Sequence, residues 1–148
     1  MRDHFKYFVS SSGKDLELVD FSAVENLLDG CLTDFKGNIF LNAHNGLRPW
    51  WQRFIFGAEI YLRPYFWIVW SGEFARLIFY DDNSSEYRVL NKSGAHHYDV
   101  DDLKDLSMGD KQEVDAKFVI EKSIAVTALR EFMSNNVRPS WMEYEFVR

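Results

Sequence analysis

Two apolar runs joined by a short turn constrain the fold of this chain more than any other feature. Tyr65–Trp70 and Phe74–Tyr80 are apolar at almost every position, so each predicted strand has two apolar faces. Such strands are typical of the middle of a sheet that is covered on both sides. Ser71–Glu73 supplies the glycine of a hairpin turn, and Glu86–Leu90 predicts a third strand after a turn at Asp81–Ser84. The sequence therefore predicts an antiparallel meander.

Two segments have the pattern of helices. Ser22–Glu25 has the form of a capping box, and apolar residues follow at helical spacing until Gly30, which can end the helix. Glu121–Asn135 predicts a second helix with a continuous apolar stripe. The stripe consists of Ile124, Ala125, Ala128, Leu129, Phe132 and Met133. We expect an α+β fold: a single antiparallel or mixed sheet meander with two principal helices, the longer near the C-terminus.

Other parts of the chain predict shorter elements. Extended structure is expected at Phe5–Val9, Lys14–Val19, Asn38–Asn42, Trp50–Tyr61 and Lys117–Ile120. His44–Gly46 predicts a turn, because Asn-Gly favours the backbone conformations that tight turns require.

A last strand is predicted at Ser140–Val147, directly after Arg138 and Pro139. Side chains alternate between the two faces of a strand. One face carries Met142, Tyr144 and Phe146, and the other carries Trp141, Glu143 and Glu145. We expect the first set to face the core beneath the C-terminal helix. Trp141 would then point outward as a binding anchor, unless the aromatic stretch around Trp50–Phe56 covers it.

Length and composition predict one domain over residues 1–148. A chain of 148 residues can form one core without disulfides or metals, and no repeat or low-complexity tract divides it. Cys31 is the only cysteine, which excludes an internal disulfide and suits a reducing cytoplasm. The charged N-terminal stretch lacks the apolar core of a signal peptide, and no apolar run approaches the length of a membrane span. We expect a soluble cytoplasmic protein.

The search for catalytic chemistry finds no convincing constellation. His97, Asp99 and Asp101 could converge on a metal, but no second cluster completes a site, and a solvated loop is the simpler interpretation. Cys31 follows a predicted helix, whereas reactive thiolates are stabilised at helix N-termini, so we interpret it as a buried structural thiol. Glycines form no phosphate-binding loop. We therefore predict no enzyme, no cofactor and no metal, with a small hydrolase built around His44, His96 or His97 as the least favoured alternative.

Surface charge points instead to a protein partner. Seven acidic residues lie between Asp99 and Asp115, opposed only by Lys104 and Lys111, and the formal net charge is −6. Such a segment repels nucleic acid and membranes and favours a basic partner, although it could equally be a solvated loop that aids solubility. The candidate interface residues are Asp99, Asp101, Asp102, Asp105, Trp141, Glu143, Glu145, Trp50 and Trp51. Each tryptophan could equally belong to the core.

The C-terminal third resembles a known family. Its segments are Ile120–Lys122, the helix Ser123–Met133, Asn136–Pro139 and Met142–Tyr144. They look like the close of the first-numbered immunity-protein family of bacterial polymorphic toxin and contact-dependent inhibition systems. Members of that family end in a helix of the form Ala-x-x-x-Phe, here Ala128 to Phe132, then Arg-Pro and a strand with an aromatic residue. Tyr144 stands where the family often has tryptophan, and Leu47–Pro64 is longer than the family's usual connection.

The resemblance implies a function. Members of the family bind and neutralise a cognate toxin domain, and they have no catalytic residues. An acidic inhibitor suits a toxin that acts on nucleic acid, such as a nuclease or a deaminase, because such toxins need basic sites. We expect a monomer or weak homodimer that binds a basic C-terminal toxin domain. The alternative is a non-enzymatic adaptor or regulatory binding module.

Overall fold

The computed structural model describes residues 6–11, 14–18, 21–47, 60–81, 83–91, 106, 116–135 and 137–147. Its strands are β1 (Lys6–Ser11), β2 (Lys14–Leu18), β3 (Lys36–Leu47), β4 (Ile60–Ser71), β5 (Phe74–Tyr80), β6 (Glu86–Leu90), β7 (Ile120–Glu121) and β8 (Glu143–Val147). Its helices are α1 (Phe21–Thr33) and α2 (Lys122–Asn135). The sheet order is β2-β1-β3-β4-β5-β6-β8, with β7 paired to the first residues of β5.

The predicted α+β fold is confirmed. The strand pairs within the described ranges are antiparallel, and β4, β5 and β6 form the expected meander. The hairpin between β4 and β5 turns at Gly72, whose φ of 60° is a conformation that glycine adopts without strain. The longer helix is α2, with 14 residues against 13 in α1.

Both faces of the central strands are covered, as their composition predicts. Five consecutive β5 residues, 75–79, are buried. Ala75, Leu77 and Phe79 pack under the two helices, in the core cluster that also contains Leu28 of α1 and Phe132 of α2. We call this side of the sheet the helix face. Burial of these apolar side chains provides most of the stabilisation of the fold.

Residues near the acidic segment cover part of the opposite face. Val69 of β4 packs there with Leu106 and Val119. Arg76 of β5 is 3% exposed, and its Nη1 donates a hydrogen bond to the Leu106 carbonyl oxygen over 3.2 Å. Leu106 belongs to the acidic segment, so the segment is fastened to the sheet at this residue.

Two predicted breaks in regular structure are wrong. α1 continues through Gly30 to Thr33, and the Gly30 carbonyl accepts hydrogen bonds from the Asp34 backbone and the Thr33 hydroxyl. Packing of Val24 and Leu28 against the core outweighs the cost of one helical glycine, about 1 kcal/mol. The predicted turn His44–Gly46 lies within β3, where a register shift against β4 accommodates it as an irregularity of the strand.

The buried stripe of α2 is also displaced from the predicted one. Val126 is buried, whereas Ile124 is exposed. Helical periodicity places these two residues at opposite margins of the apolar stripe. Because α2 contacts both α1 and β5, the margin that carries Val126 is buried. The predicted extended segment Lys117–Ile120 is wrong at its start, because residues 116–118 form a turn of 3-10 helix.

Candidate interaction surface

Trp141 lies on a turn and not on the predicted strand. β8 begins at Glu143, and the chain turns at residues 140–142. The Trp141 side chain is 42% exposed, so its outward orientation is confirmed. Its indole Nε1–H donates a hydrogen bond of 2.7 Å to Glu131 Oε2 on α2. This bond holds the exposed ring in one orientation on the helix face.

The prediction that Glu143 and Glu145 share a face with Trp141 is wrong. Glu145 is opposite Arg88 in the register of β6 and β8, and its Oε2 is 3.2 Å from Lys117 Nζ. Arg88 and Lys117 both lie against the Phe118 ring, on the opposite face of the sheet. The turn before β8 interrupts the alternation, so Trp141 and the glutamates belong to different faces. Glu145 Oε2 is closed to solvent. Its contact with Lys117 is an ion pair without the geometry of a hydrogen bond.

The face of the last strand that was predicted to lie in the core becomes more exposed towards the C-terminal end of the strand. Met142 is buried and Tyr144 is half-buried, but Phe146 is 55% exposed. Among the described strands, β8 lies at the edge of the sheet and has a neighbour on one side, so one such strand covers the Phe146 ring. That cover comes from Tyr87 of β6, whose ring centroid is 5.1 Å away. Phe146 was therefore wrongly expected in the core.

Arg138 stacks on the aromatic side chains of β6 and β8. Its guanidinium carbon is 3.3 Å from the Tyr87 ring centroid and 5.4 Å from that of Tyr144. The sequence identified Arg138 only as part of a turn, because Tyr87 is distant along the chain. Tyr87 Oη also reaches Asp81 Oδ2 at 3.5 Å. Hydrogen bonding by the Ser85 backbone N–H is the main cause that holds the Asp81 pKa below its usual value, and the Arg138 charge contributes.

Tyr144 fixes the chain between α2 and β8. Its hydroxyl donates a hydrogen bond of 2.7 Å to the Pro139 carbonyl oxygen. Burial raises the pKa of Tyr144 from 10.0 to about 12, so the hydroxyl remains a donor even at a pH where an exposed tyrosine would ionise.

Tyr144→Phe tests this contact. The variant should lose about 1 kcal/mol of unfolding free energy, because the half-buried carbonyl loses its donor. Urea unfolding measures the loss. Tyr87→Phe is the control, and it should lose less because its hydrogen bond to Asp81 is long, at 3.5 Å. Equal losses would contradict the assigned role of the Tyr144 hydroxyl.

We define the Trp141 surface as the five residues Tyr87, Arg138, Trp141, Tyr144 and Phe146. Glu131 of α2 accepts the Trp141 hydrogen bond. Tryptophan, tyrosine and arginine are the residues most enriched among binding hot spots. The surface is therefore suited to contact with a protein partner.

Three cations surround the Phe118 ring on the opposite face. Lys117 Nζ is 4.9 Å from the ring centroid, and the guanidinium carbons of Arg76 and Arg88 are 5.6 and 5.7 Å away. Arg88 also forms an ion pair of 3.2 Å with Glu86. These contacts join β5, β6 and the segment before β7, which indicates a structural role.

The other candidates lie outside the described residues. These are Asp99, Asp101, Asp102, Asp105, Trp50 and Trp51, together with His96 and His97. Their roles stay predictions, as does cover of Trp141 by the stretch around Trp50–Phe56. Within the described ranges, no group of three or more histidine, cysteine, aspartate or glutamate side chains comes together. No helix in the described part of the chain has the length and apolarity needed to cross a membrane.

Neither of two sequence comparisons gives a match. No protein-family model matches the chain, and no curated protein has a significantly similar sequence. The resemblance of the C-terminal third to an immunity-protein family thus stays a prediction.

Proposed function

We propose that this protein is a bacterial immunity protein that binds a cognate toxin domain in the cytoplasm and holds it inactive without catalysis. The observation that carries the proposal is Trp141, an exposed tryptophan whose indole N–H bonds to Glu131 and which follows, three residues along the chain, the Arg138 that stacks on Tyr87. A large ring fixed before binding loses little conformational entropy when it enters a pocket on the partner.

The charge of the chain supports a basic partner. The formal net charge is −6, and the acidic segment accounts for most of it. Toxins that act on nucleic acid present basic surfaces to phosphates, so an acidic inhibitor is complementary to them. A nuclease or deaminase domain is therefore the toxin class that we propose.

A titration tests the proposal. The full chain is mixed with the toxic C-terminal domain encoded by the neighbouring gene, and heat of binding is measured. We expect a nanomolar or tighter dissociation constant, about −12 kcal/mol, because an immunity protein must hold nearly all toxin inactive at low concentration. Micromolar or undetectable binding would contradict the proposal.

The acidic segment should control the association rate. A variant carries asparagine at Asp99, Asp101, Asp102 and Asp105. Its association should slow about tenfold or more at low salt and lose most of its salt dependence, because these charges steer a basic partner. The Tm should barely change, since so acidic a segment is predicted to be solvated and solvated charges contribute little to stability. Stopped-flow mixing at two salt concentrations measures the rate, and an unchanged low-salt rate would place the segment outside the interface.

A further inference from the structure

β8 forms one edge of the sheet. It pairs with β6 along its whole length, from Glu143 opposite Leu90 to Val147 opposite Glu86. Among the described strands, none pairs with the other side of β8. An edge strand presents a row of backbone N–H and C=O groups that can pair with another extended chain.

The side chains of β8 specify what kind of chain fits beside it. Tyr144 and Phe146 lie on the helix face, where Phe146 is largely uncovered. Glu143 and Glu145 lie on the opposite face, where Glu145 is paired with Lys117 and Glu143 is exposed. A strand added here would place alternate residues beside aromatic rings and beside carboxylates. Apolar residues suit the first positions and basic residues suit the second.

We propose that β8 is the docking edge for an extended segment of the partner protein in which apolar and basic residues alternate. This inference rests on the proposed function, because it assigns the segment to the toxin domain. Backbone hydrogen bonds would provide affinity, and the alternation would provide specificity. The basic residues agree with the basic partner that the net charge favours.

A second copy of this chain is a poorer occupant. When two β8 strands pair antiparallel over their full length with their helix faces aligned, Glu145 of one copy lies opposite Glu145 of the other. Like charges directly opposite each other destabilise a strand pair. The exposed carboxylate of Glu143, by contrast, attracts a basic strand.

The docking edge is continuous with the Trp141 surface. The Phe146 ring contacts Tyr87, and Tyr87 is stacked under Arg138. A partner whose strand covers Phe146 would therefore lie close to Tyr87 and Arg138.

A peptide tests the edge without a toxin. The probe is a synthetic seven-residue peptide of alternating lysine and valine, added to the full ¹⁵N-labelled chain. The comparison peptide replaces lysine with glutamate. We expect amide shifts confined to β8 and β6, slower amide exchange in β8, and a response at least about fivefold weaker to the glutamate peptide. Shifts elsewhere, no shifts, or equal responses to both peptides would overturn the proposal.

Matched variants locate the contact. Phe146→Ala and Glu143→Lys should each weaken binding of the lysine peptide about fivefold. Phe35→Ala and Glu25→Lys are the controls, because both residues are exposed and neither belongs to β8. Controls that weaken binding as much as the β8 variants would overturn the assignment to this edge.

Hydrogen exchange in the toxin complex separates this inference from the proposed function. Protection of β8 amides in a tight complex supports both. A nanomolar complex without β8 protection overturns the docking edge and leaves the proposed function standing. Peptide docking at β8 together with no toxin binding keeps the edge as a strand-binding site and overturns its assignment to a toxin.

Discussion

Replacing Trp141 with alanine should weaken binding of the cognate toxin domain by about 2 kcal/mol or more, roughly thirtyfold, with almost unchanged stability. The ring is 42% exposed, so the core does not depend on it. Its hydrogen bond to Glu131 is at the surface and contributes little to folding. Calorimetric titration measures the affinity, and thermal unfolding measures the stability.

Phe35→Ala is the matched control for Trp141→Ala. Phe35 is 73% exposed and lies between α1 and β3, away from the Trp141 surface. Its removal should leave affinity within about twofold, since an aromatic residue outside the interface adds nothing to binding. If Trp141→Ala melts much earlier yet still binds when folded, Trp141 is a structural residue and the assigned surface is wrong.

Phe132→Ala should produce the largest loss of stability, about 3–5 kcal/mol. Phe132 joins α2 to the sheet, with its ring centroid 4.9 Å from that of Phe79 and 6.4 Å from that of Phe66. Alanine would leave a cavity between these rings. Urea unfolding should show a lower midpoint, and a marginally stable domain would be largely unfolded at 37 °C.

Phe132→Leu is the comparison for this core variant. Leucine fills more of the site than alanine, so we expect a smaller loss, nearer 1–2 kcal/mol. A loss below about 1 kcal/mol for Phe132→Ala would contradict the packing of α2 on the helix face.

Strong local patterns made the centre of the sheet predictable. The β4–β5 hairpin follows from two short runs that are apolar on both faces and a glycine between them, because such runs are typical of strands covered on both sides. The helix α2 follows from its apolar stripe. Gly30 and His44–Gly46 misled the prediction because turn-forming residues also occur inside elements when packing or strand pairing compensates for their cost.

The candidate surface was only partly predictable. Exposure of Trp141 was anticipated, but the two-face assignment of Ser140–Val147 assumed a strand that actually begins at Glu143. Contact of Arg138 with Tyr87 joins residues from distant parts of the chain. Single-sequence periodicity carries no information on such pairs, so only the folded structure shows that arginine and tyrosine stack there.

Inhibition of the toxin tests the central claim most directly. A candidate toxin domain, sought in the gene next to the one for this protein, is assayed on nucleic acid while the full chain is added stepwise. We predict that activity falls linearly and reaches zero at one molecule of this protein per molecule of toxin, and that Trp141→Ala needs a clear excess at nanomolar toxin. Full toxin activity in the presence of a large excess of the wild-type chain would contradict the account.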